Sequence, residues 1–315
     1  MQLRIESLVH RPPNERRRAV SIGNFDGVHL GHLRLLQACV ETGRRADLVP
    51  TALTFDPHPA SVVSSRGAPP RIQTLRSRTR FLREAGIEDL AQLRFDEATA
   101  RLSPAEFVDQ VLVDGLRVGC VVVGSGFRFG ASRAGDVETL RGLGRDRFET
   151  REVPTLVDGG ERVSSSRIRD ALLRGDLAGA ERFLGRPYEI EGLVIPGDHR
   201  GRALGFPTAN IDLEGVSALR RGVYAADGFL EGETGARRAA VNLGVRPTFG
   251  GLEPRLEAHF PGFDGDLYGR TLRLVFLAWL RDERRFDSPD ELRDQLSADV
   301  QAALRCPSRA AAQSG

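Results

Sequence analysis

The chain has 315 residues, of which 40% are hydrophobic and 28% charged, and this predicts a globular protein of two domains. All 45 basic residues are arginine and the net charge is +2, so lysine chemistry of the Schiff-base or P-loop kind is excluded and no nucleic-acid surface is indicated. The three cysteines lack metal-ligand spacing, and no apolar run reaches the ~20 residues of a membrane span. We therefore expect a cytoplasmic protein of enzyme size without nucleic-acid or membrane partners, and the composition leaves its oligomeric state open.

The first half of the chain alternates short apolar strands with helical patterns. Strands are predicted at 18–22, 48–55 and 118–124. Helices are predicted at 32–43, ending at Gly43, at 77–86, and after a capping box formed by Ser103 and Glu106. Alternation of this kind predicts an α/β fold in which helices cover both faces of a doubly wound parallel sheet.

The pattern changes in the second half. From Tyr188 to Leu280, short β-like runs and Gly/Pro turns predict a small antiparallel β-barrel, and a last helix follows a capping box at Ser288 and Glu291. With a boundary near Gly185, we predict domains at 1–185 and 186–305 and a disordered tail at 306–315.

A first candidate site follows the first predicted strand, in the run GNFDGVHLGH. Gly23, Gly27 and Gly31 would let a phosphate approach the backbone, and the start of the next helix presents free N–H groups to an anion. His29 and His32 share a helical face and could donate hydrogen bonds to charge that builds in a transition state. This pattern is similar to that of nucleotidylyltransferases, which act on the α-phosphate of a nucleotide triphosphate. The alternatives are a surface pair or half of a zinc site.

Three further runs could complete this site. The run VSSSRIRDAL offers hydroxyls and arginines for the β- and γ-phosphates, although an N-cap with surface arginines is the alternative. TFDPHP follows the second strand, and GFRFGASRAGD follows a central strand. Aromatic rings in the latter could stack on a flat ligand, but Phe127 and Phe129 could instead be core residues, which is the more common role of aromatics at strand ends.

A second candidate site lies in the predicted barrel, where GDHRGRALGFPTAN forms a glycine-rich basic turn. Thr208 and Asn210 alternate onto one strand face, where their oxygens could hold Mg²⁺ on a nucleotide. Glu257 could serve as a general base. Each of these residues is, on its own, equally typical of a turn or a solvated strand.

Eleven motifs in order resemble the prokaryotic bifunctional riboflavin kinase/FAD synthetase family over nearly the whole chain. They are GNFDGVHLGH, TFDPHP, GFRFGASRAGD, SSSRIR, LGRPY, GDHRGRALGFPTAN, GVYA, NLGVRPTFGG, LEAHF, DLYG and LRDERRFDSPDELRDQLSAD. The resemblance implies that the barrel phosphorylates riboflavin to FMN with ATP, and that the N-terminal domain adenylylates FMN to FAD with release of pyrophosphate.

The resemblance also implies residue roles. The catalytic residues are His29, His32 and Glu257, and the metal ligands for Mg²⁺ are Thr208 and Asn210. ATP in the adenylyltransferase would meet Gly23, Asn24, Phe25, Asp26, Gly27, Gly31, Ser164, Ser165, Ser166, Arg167 and Arg169. FMN and its phosphate would meet Phe55, Asp56, His58, Phe127, Arg128 and Arg133. ATP in the kinase would meet Gly197, Arg200, Gly201, Arg202, Gly205, Pro207 and Asn242.

One position departs from the family pattern. Members usually carry a polar or acidic residue, often Asp, before the Phe of the FRFG element, whereas this chain has Gly126 after Ser125. The alternative reading is therefore a riboflavin kinase with a weakened or silent adenylyltransferase domain. A flavin-binding regulator without turnover is disfavoured because the catalytic residues are present, and a tRNA-linked enzyme is disfavoured by the low net charge.

Overall fold

A computed structural model describes residues 5–7, 16–197, 205–248 and 251–307. The chain divides by its internal contacts into two compact units. The first comprises residues 1–69 and 78–164, and the second comprises residues 70–77 and 165–315. The segment 165–185, which the sequence assigned to the first domain, therefore groups with the second unit.

The first unit is built on a six-stranded sheet in the order β1-β4-β3-β2-β5-β6. The strands are β1 (Ile5–Ser7), β2 (Arg18–Ile22), β3 (Val49–Asp56), β4 (Asp89–Arg94), β5 (Val118–Gly124) and β6 (Glu149–Val153). Strands β2 to β6 pair in parallel, and β1 is added antiparallel to β4. A separate two-stranded ribbon joins β7 (Val157–Asp158) to β8 (Glu161–Arg162).

Both faces of this sheet are covered. In β2, Val20 and Ile22 belong to one apolar cluster, whereas Ala19 belongs to a second cluster on the opposite face of the sheet. All five residues of β2 are buried, which is typical of a central parallel strand. The prediction of a doubly wound parallel sheet is confirmed.

The helices in chain order are α1 (Leu30–Ala46), α2 (Pro59–Val63), α3 (Leu75–Glu84), α4 (Glu97–Ala100), α5 (Pro104–Glu106), α6 (Val137–Gly144), α7 (Ser165–Leu173), α8 (Leu177–Leu184) and α9 (Pro289–Arg305). Helix α5 continues as a π-helical segment, Phe107–Gly115, and its predicted capping box at Ser103 and Glu106 is confirmed. Within the described ranges, no helix combines the length and the apolar character that crossing a membrane requires.

The predicted end of α1 at Gly43 is wrong, because the helix continues to Ala46 and the left-handed residue is Asp47, with φ of 53°. Gly43 is a packing residue instead. A Cβ there would stand 2.7 Å from Cγ of Pro50 and 2.9 Å from the carbonyl oxygen of Leu48. The glycine therefore lets α1 lie close to the chain that enters β3.

The second unit contains a closed antiparallel barrel in the order β10-β13-β12-β11-β14-β9. Its strands are β9 (Glu189–Ile195), β10 (Thr208–Ile211), β11 (Gly222–Leu230), β12 (Arg237–Thr248), β13 (Gly251–His259) and β14 (Thr271–Arg281). The predicted barrel with a C-terminal helix is confirmed.

Helix α9 is held on the barrel by a partly buried ion pair. Arg281 donates to both carboxylate oxygens of Asp299, over 2.8 and 2.6 Å. Ser288 caps α9 as predicted, but the capping box is incomplete, because Glu291 accepts from the backbone N–H of Asp287 and not from that of Ser288. Most of the predicted tail, from residue 308 onward, lies outside the described residues.

Candidate active sites

The run from Gly23 to Val28 forms a tight loop between β2 and α1, at the carboxyl end of the sheet. Phe25, Gly27 and Val28 all have φ in the left-handed region, at 49°, 94° and 36°. The loop is pinned from outside, because Thr54 Oγ1 and an Nη1 of Arg78 both donate to the carbonyl oxygen of Asn24, over 3.4 and 3.2 Å. The loop is therefore strained, and it lies at the carboxyl end of the parallel sheet, which is where such sheets bind ligands.

The two histidines of this loop form a stacked pair. His29 is the N-cap of α1, and its Nδ1 accepts the backbone N–H of His32 over 3.1 Å. The proton of a neutral His29 ring is therefore on Nε2, which makes that atom a hydrogen-bond donor. The two rings lie 3.6 Å apart and within 12° of parallel.

Gly31 leaves room for this arrangement. A Cβ at Gly31 would stand 3.1 Å from Cε1 and 3.2 Å from Nδ1 of His29, and 3.6 Å from the carbonyl oxygen of Val163. The absence of a side chain at the glycine of the His-x-Gly-His motif therefore leaves the space that the His29 ring occupies. Val163 directly precedes the predicted phosphate ligand Ser164, so that serine begins beside the histidine loop within the first unit.

The remaining serines and arginines of the SSSRIR run are in the second unit. Ser165 begins α7 and is half-buried, whereas Ser166 and Arg167 are exposed. The Nε of Arg169 donates to the carbonyl oxygen of Pro70 over 2.7 Å.

The predicted flavin residues of the first unit fall into three groups. His58 reaches the loop, because its Nε2 lies 3.0 Å from the amide of Asn24. Phe127 stacks on Phe129 with ring centroids 5.5 Å apart, and both Phe127 and Phe55 pack against the apolar core. These contacts are the ones expected of a core residue, which was the alternative interpretation of Phe127. Exposed residues complete the set: Asp56, Arg128, which pairs with Asp136 over 3.3 Å, and Arg133.

Gly126, the departure from the family pattern, lies beside a cation. A Cβ there would stand 3.5 Å from Nη2 of Arg162. Ser125 shares a hydrogen bond of 3.1 Å with the hydroxyl of Thr155. An aspartate at position 126 would therefore place its carboxylate near the guanidinium of Arg162. The glycine of this chain provides no such carboxylate.

In the barrel, three predicted residues stand side by side. Asn210 on β10 pairs with Glu257 on β13, and Glu257 pairs with Asn242 on β12. Directly opposed residues of antiparallel strands project from the same face, and Thr208, two residues before Asn210, shares it. The carboxylate is therefore flanked by two amides, with a hydroxyl one step away. We call Asn210, Glu257 and Asn242 the polar row.

Sequence reasoning missed the residue that links this row. The Nε of Arg255 lies 2.6 Å from Oδ1 of Asn210 and 3.0 Å from Oε1 of Glu257. Gly197 closes over the same group, because a Cβ there would collide with the Asn210 amide and stand 2.7 Å from Nη2 of Arg255. Arg255 stands two residues before Glu257, and side chains two apart on a strand share a face. This period-2 spacing could have predicted that the two side chains lie together.

A cavity of about 240 Å³ opens beside the row. Thr208, Asn242 and Glu257 line its polar part, and the apolar lining comes from the barrel and from α9 with the chain before it: Val223, Ala240, Val241, Phe286, Leu292, Leu296 and Val300. Glu283, also missed, lines it too, and partial desolvation raises the pKa of its carboxyl group above the ordinary value. A Cβ on Gly244 would collide with that carboxylate.

The predicted nucleotide loop of the barrel is described only at its ends. Arg200, Gly201 and Arg202 lie outside the described residues. Gly205 has φ of 86°, in the left-handed region that favours glycine. The carbonyl oxygen of Pro207 is 2.8 Å from Nδ1 of His259, so that ring nitrogen is the donor.

A strained loop with two stacked imidazoles at the carboxyl end of a parallel sheet, and a barrel that carries a carboxylate between two amides, are arrangements suited to enzymes that transfer phosphorus-containing groups. A family model described as FAD synthetase matches residues 11–167, and one described as riboflavin kinase matches residues 184–306. The chain belongs to the bifunctional riboflavin kinase/FMN adenylyltransferase family, as its motifs predicted, and it has both activities.

Known proteins match over most of their length. The bifunctional riboflavin kinase/FMN adenylyltransferase of Escherichia coli K12 is 41% identical over 281 residues, which cover 89% of this chain and 90% of that protein. The protein of the same name from Pseudomonas fluorescens is 39% identical, covering 98% and 99%. A crystal structure of a protein named macrolide-efflux protein, from Streptococcus pneumoniae, has a TM-score of 0.76 at 30% identity and covers 95% of this chain and 97% of that chain.

Proposed function

We propose that each activity has its own residues: domain 1–185 converts FMN to FAD, and domain 186–305 converts riboflavin to FMN. One observation carries this proposal. The chemistry-bearing side chains form two sets, with the stacked histidines in the first unit and the polar row in the second. Each set matches the demands of one reaction.

In the adenylyltransferase, an FMN phosphate oxygen attacks the α-phosphorus of ATP, and the bond to pyrophosphate breaks. FMN is itself the nucleophile, so the protein supplies position and charge stabilisation. The Nε2–H of His29 donates to the oxygens on which charge builds, and His32 stacks against it. The roles of Ser164, Ser165, Ser166, Arg167 and Arg169 as pyrophosphate ligands stay predictions.

In the kinase, the ring system of riboflavin occupies the cavity beside the polar row. Its apolar walls suit a flat aromatic ring, and its polar part, which includes Glu257, suits a hydroxyl group. Glu257 takes the proton of the 5′-hydroxyl while that oxygen attacks the γ-phosphorus of ATP. Asn242 and Thr208 hold the phosphates from the same face.

The residues present fit a magnesium ion carried in on ATP. Thr208 and Asn210 offer a hydroxyl and an amide oxygen, which are hard ligands of the kind that Mg²⁺ takes. Among the described residues there is no cluster of three or more His, Cys, Asp or Glu that could hold a metal alone. The other ligands would be phosphate oxygens and water. When bound, the ion neutralises phosphate charge.

The proposed partners are riboflavin, FMN and ATP, and we place the protein in the cytoplasm, where ATP is available to it.

Gly31→Ala tests the histidine site. We expect FAD formation from FMN to fall on the order of tenfold, because the new Cβ displaces the His29 ring by a fraction of the 1 Å that costs about 10²-fold. FMN formation should not change. The matched control is Gly142→Ala in α6, where a Cβ meets nothing within 4 Å. Equal FAD rates in the two variants would contradict the proposed role of Gly31.

A time course tests the whole proposal and its metal. Purified protein is incubated with riboflavin, ATP and Mg²⁺, and the flavins are separated by chromatography. We expect FMN to rise and then convert to FAD, and EDTA to stop both steps until Mg²⁺ is restored. FMN accumulating without FAD would support the alternative of a silent adenylyltransferase, and Gly126→Asp would then be the rescue variant.

A further inference from the structure

The guanidinium of Arg255 contacts the two barrel residues proposed to hold magnesium and to accept the hydroxyl proton, Asn210 and Glu257. We propose that Arg255 is a catalytic residue of the riboflavin kinase, whose guanidinium neutralises the γ-phosphoryl group of ATP during its transfer. The proposal rests on the proposed role of Glu257 as the base, and it assigns a role to a side chain that no motif indicated.

The first support is position. One nitrogen, Nε of Arg255, meets both Oδ1 of Asn210 at 2.6 Å and Oε1 of Glu257 at 3.0 Å. Asn210 is the proposed magnesium ligand and Glu257 the proposed base, so the guanidinium contacts both residues on which the proposed phosphoryl transfer depends. The fork of an arginine also matches the oxygens of a phosphate.

The second support is the approach of Gly197. Its missing side chain lets the backbone at the start of the nucleotide turn come close to both Arg255 and Asn210. A larger residue would fill the space that the guanidinium and the amide now share. The chain therefore brings Gly197, the first residue of the proposed ATP turn, close to Arg255.

The third support is the supply of positive charge. The chain has no lysine, so arginine or histidine must provide any protein cation at the transferred group. Two arginines that line the cavity are committed to structure: Arg281 binds both oxygens of Asp299, and Arg284 binds Glu291 over 2.7 Å. Arg255 lies outside that lining and contacts the two residues proposed to carry the chemistry, Asn210 and Glu257.

The charges change in a way that favours the transition state. As the O–P bond to riboflavin forms and the bond from the γ-phosphorus to the β-phosphate oxygen breaks, the hydroxyl proton passes to Glu257 and ADP leaves. Glu257 then loses its negative charge, and its attraction for Arg255 falls. The guanidinium is left to pair with the phosphoryl oxygens at the moment when they need it, so the interaction is stronger in the transition state than in the ground state.

The test compares Arg255→Gln and Arg255→Lys with the control Arg273→Gln, whose arginine pairs with Glu189 over 3.3 Å elsewhere on the barrel. We expect Arg255→Gln to lower kcat for FMN formation by about 10³-fold, the lower end of the range for an arginine at a transferring phosphoryl group. KM for riboflavin should stay close to that of the unmodified chain. Arg255→Lys should recover part of kcat, because it keeps the charge and loses the fork.

A binding measurement separates this role from a structural one. Calorimetry compares the affinity for Mg·ADP with and without aluminium fluoride, which mimics the phosphoryl group in transfer. Aluminium fluoride should tighten binding in the unmodified chain and in Arg273→Gln, and it should not in Arg255→Gln. Melting temperature and FAD formation from FMN should match in all variants.

The proposal is overturned if Arg255→Gln keeps kcat or keeps the tightening by aluminium fluoride. It is also overturned if Arg255→Gln loses Mg·ADP affinity without losing kcat, since Arg255 would then be a nucleotide anchor only. Failure of the proposed role of Glu257 as the base would give a different result, because Glu257→Gln would then still form FMN.

Discussion

We expect Glu257→Gln to lower the formation of FMN from riboflavin at least about 10²-fold while FAD formation from supplied FMN continues unchanged. The substitution keeps the size and hydrogen-bonding capacity of the side chain between Asn210 and Asn242, and it removes the group that accepts the hydroxyl proton. A general base contributes about 10² to 10⁴ in rate, so kcat for FMN formation should fall within that range. Chromatography of both reactions in parallel measures the effect.

The control is Glu231→Gln, an exposed carboxylate just after β11 of the same barrel, which should leave both activities intact. If Glu257→Gln lost both activities at an unchanged melting temperature, the assignment of separate residues to the two reactions would be refuted. If it kept FMN formation, Glu257 would not be the base.

The second large effect is expected from His29→Asn, which should lower FAD formation from FMN by about 10² to 10³, the cost of removing one donor to a developing anion. Asparagine is a preferred N-cap residue, so the variant should keep α1 capped while losing the imidazole. FMN formation from riboflavin serves as the internal reference and should be unchanged.

Gln37→Ala, at an exposed position of the same helix, is the matched control and should behave as the unmodified chain. His29→Ala removes cap and imidazole together, so it should add a loss of stability of about 1 kcal/mol to the same loss of FAD formation. Unchanged FAD synthesis in His29→Asn would exclude His29 from the reaction.

Much of the fold could be predicted because its signals are local. The buried β2 and the apolar run of β5 are continuous hydrophobic segments. The helices between the strands are indicated by their capping residues and by the periodicity of their apolar residues. Gly43 misled because a glycine that serves close packing against Pro50 looks, in one dimension, like a glycine that ends a helix. Only the neighbour across space distinguishes the two.

The sites were predictable where chemistry and spacing coincide. His29 and His32 are three residues apart, but their stacking depends on the cap hydrogen bond and on the open space at Gly31, which are properties of the folded loop. In the barrel, Asn210, Glu257 and Asn242 lie 47 and 15 residues apart in sequence, and strand register alone makes them neighbours.

The residues that were missed are arginines and a glutamate with many counterparts in the chain. With 45 arginines, nothing in the sequence distinguishes Arg78, which pins the histidine loop, from a surface arginine. Glu283 acquires its raised pKa from the desolvation that a folded cavity imposes. Such roles follow from tertiary contacts, which composition and periodicity do not encode.

The central claim is that the two reactions use different residues of one chain, with FMN passing between them free in solution. The direct measurement is FAD formation from riboflavin, ATP and Mg²⁺ by Glu257→Gln alone, by His29→Asn alone, and by an equal mixture of the two. The account predicts that each variant alone makes FAD at least about 10²-fold more slowly than the unmodified chain and that the mixture makes FAD readily, because FMN made by one protein reaches the adenylyltransferase of the other. A mixture that makes no FAD, from variants that each keep their own remaining activity, would contradict it.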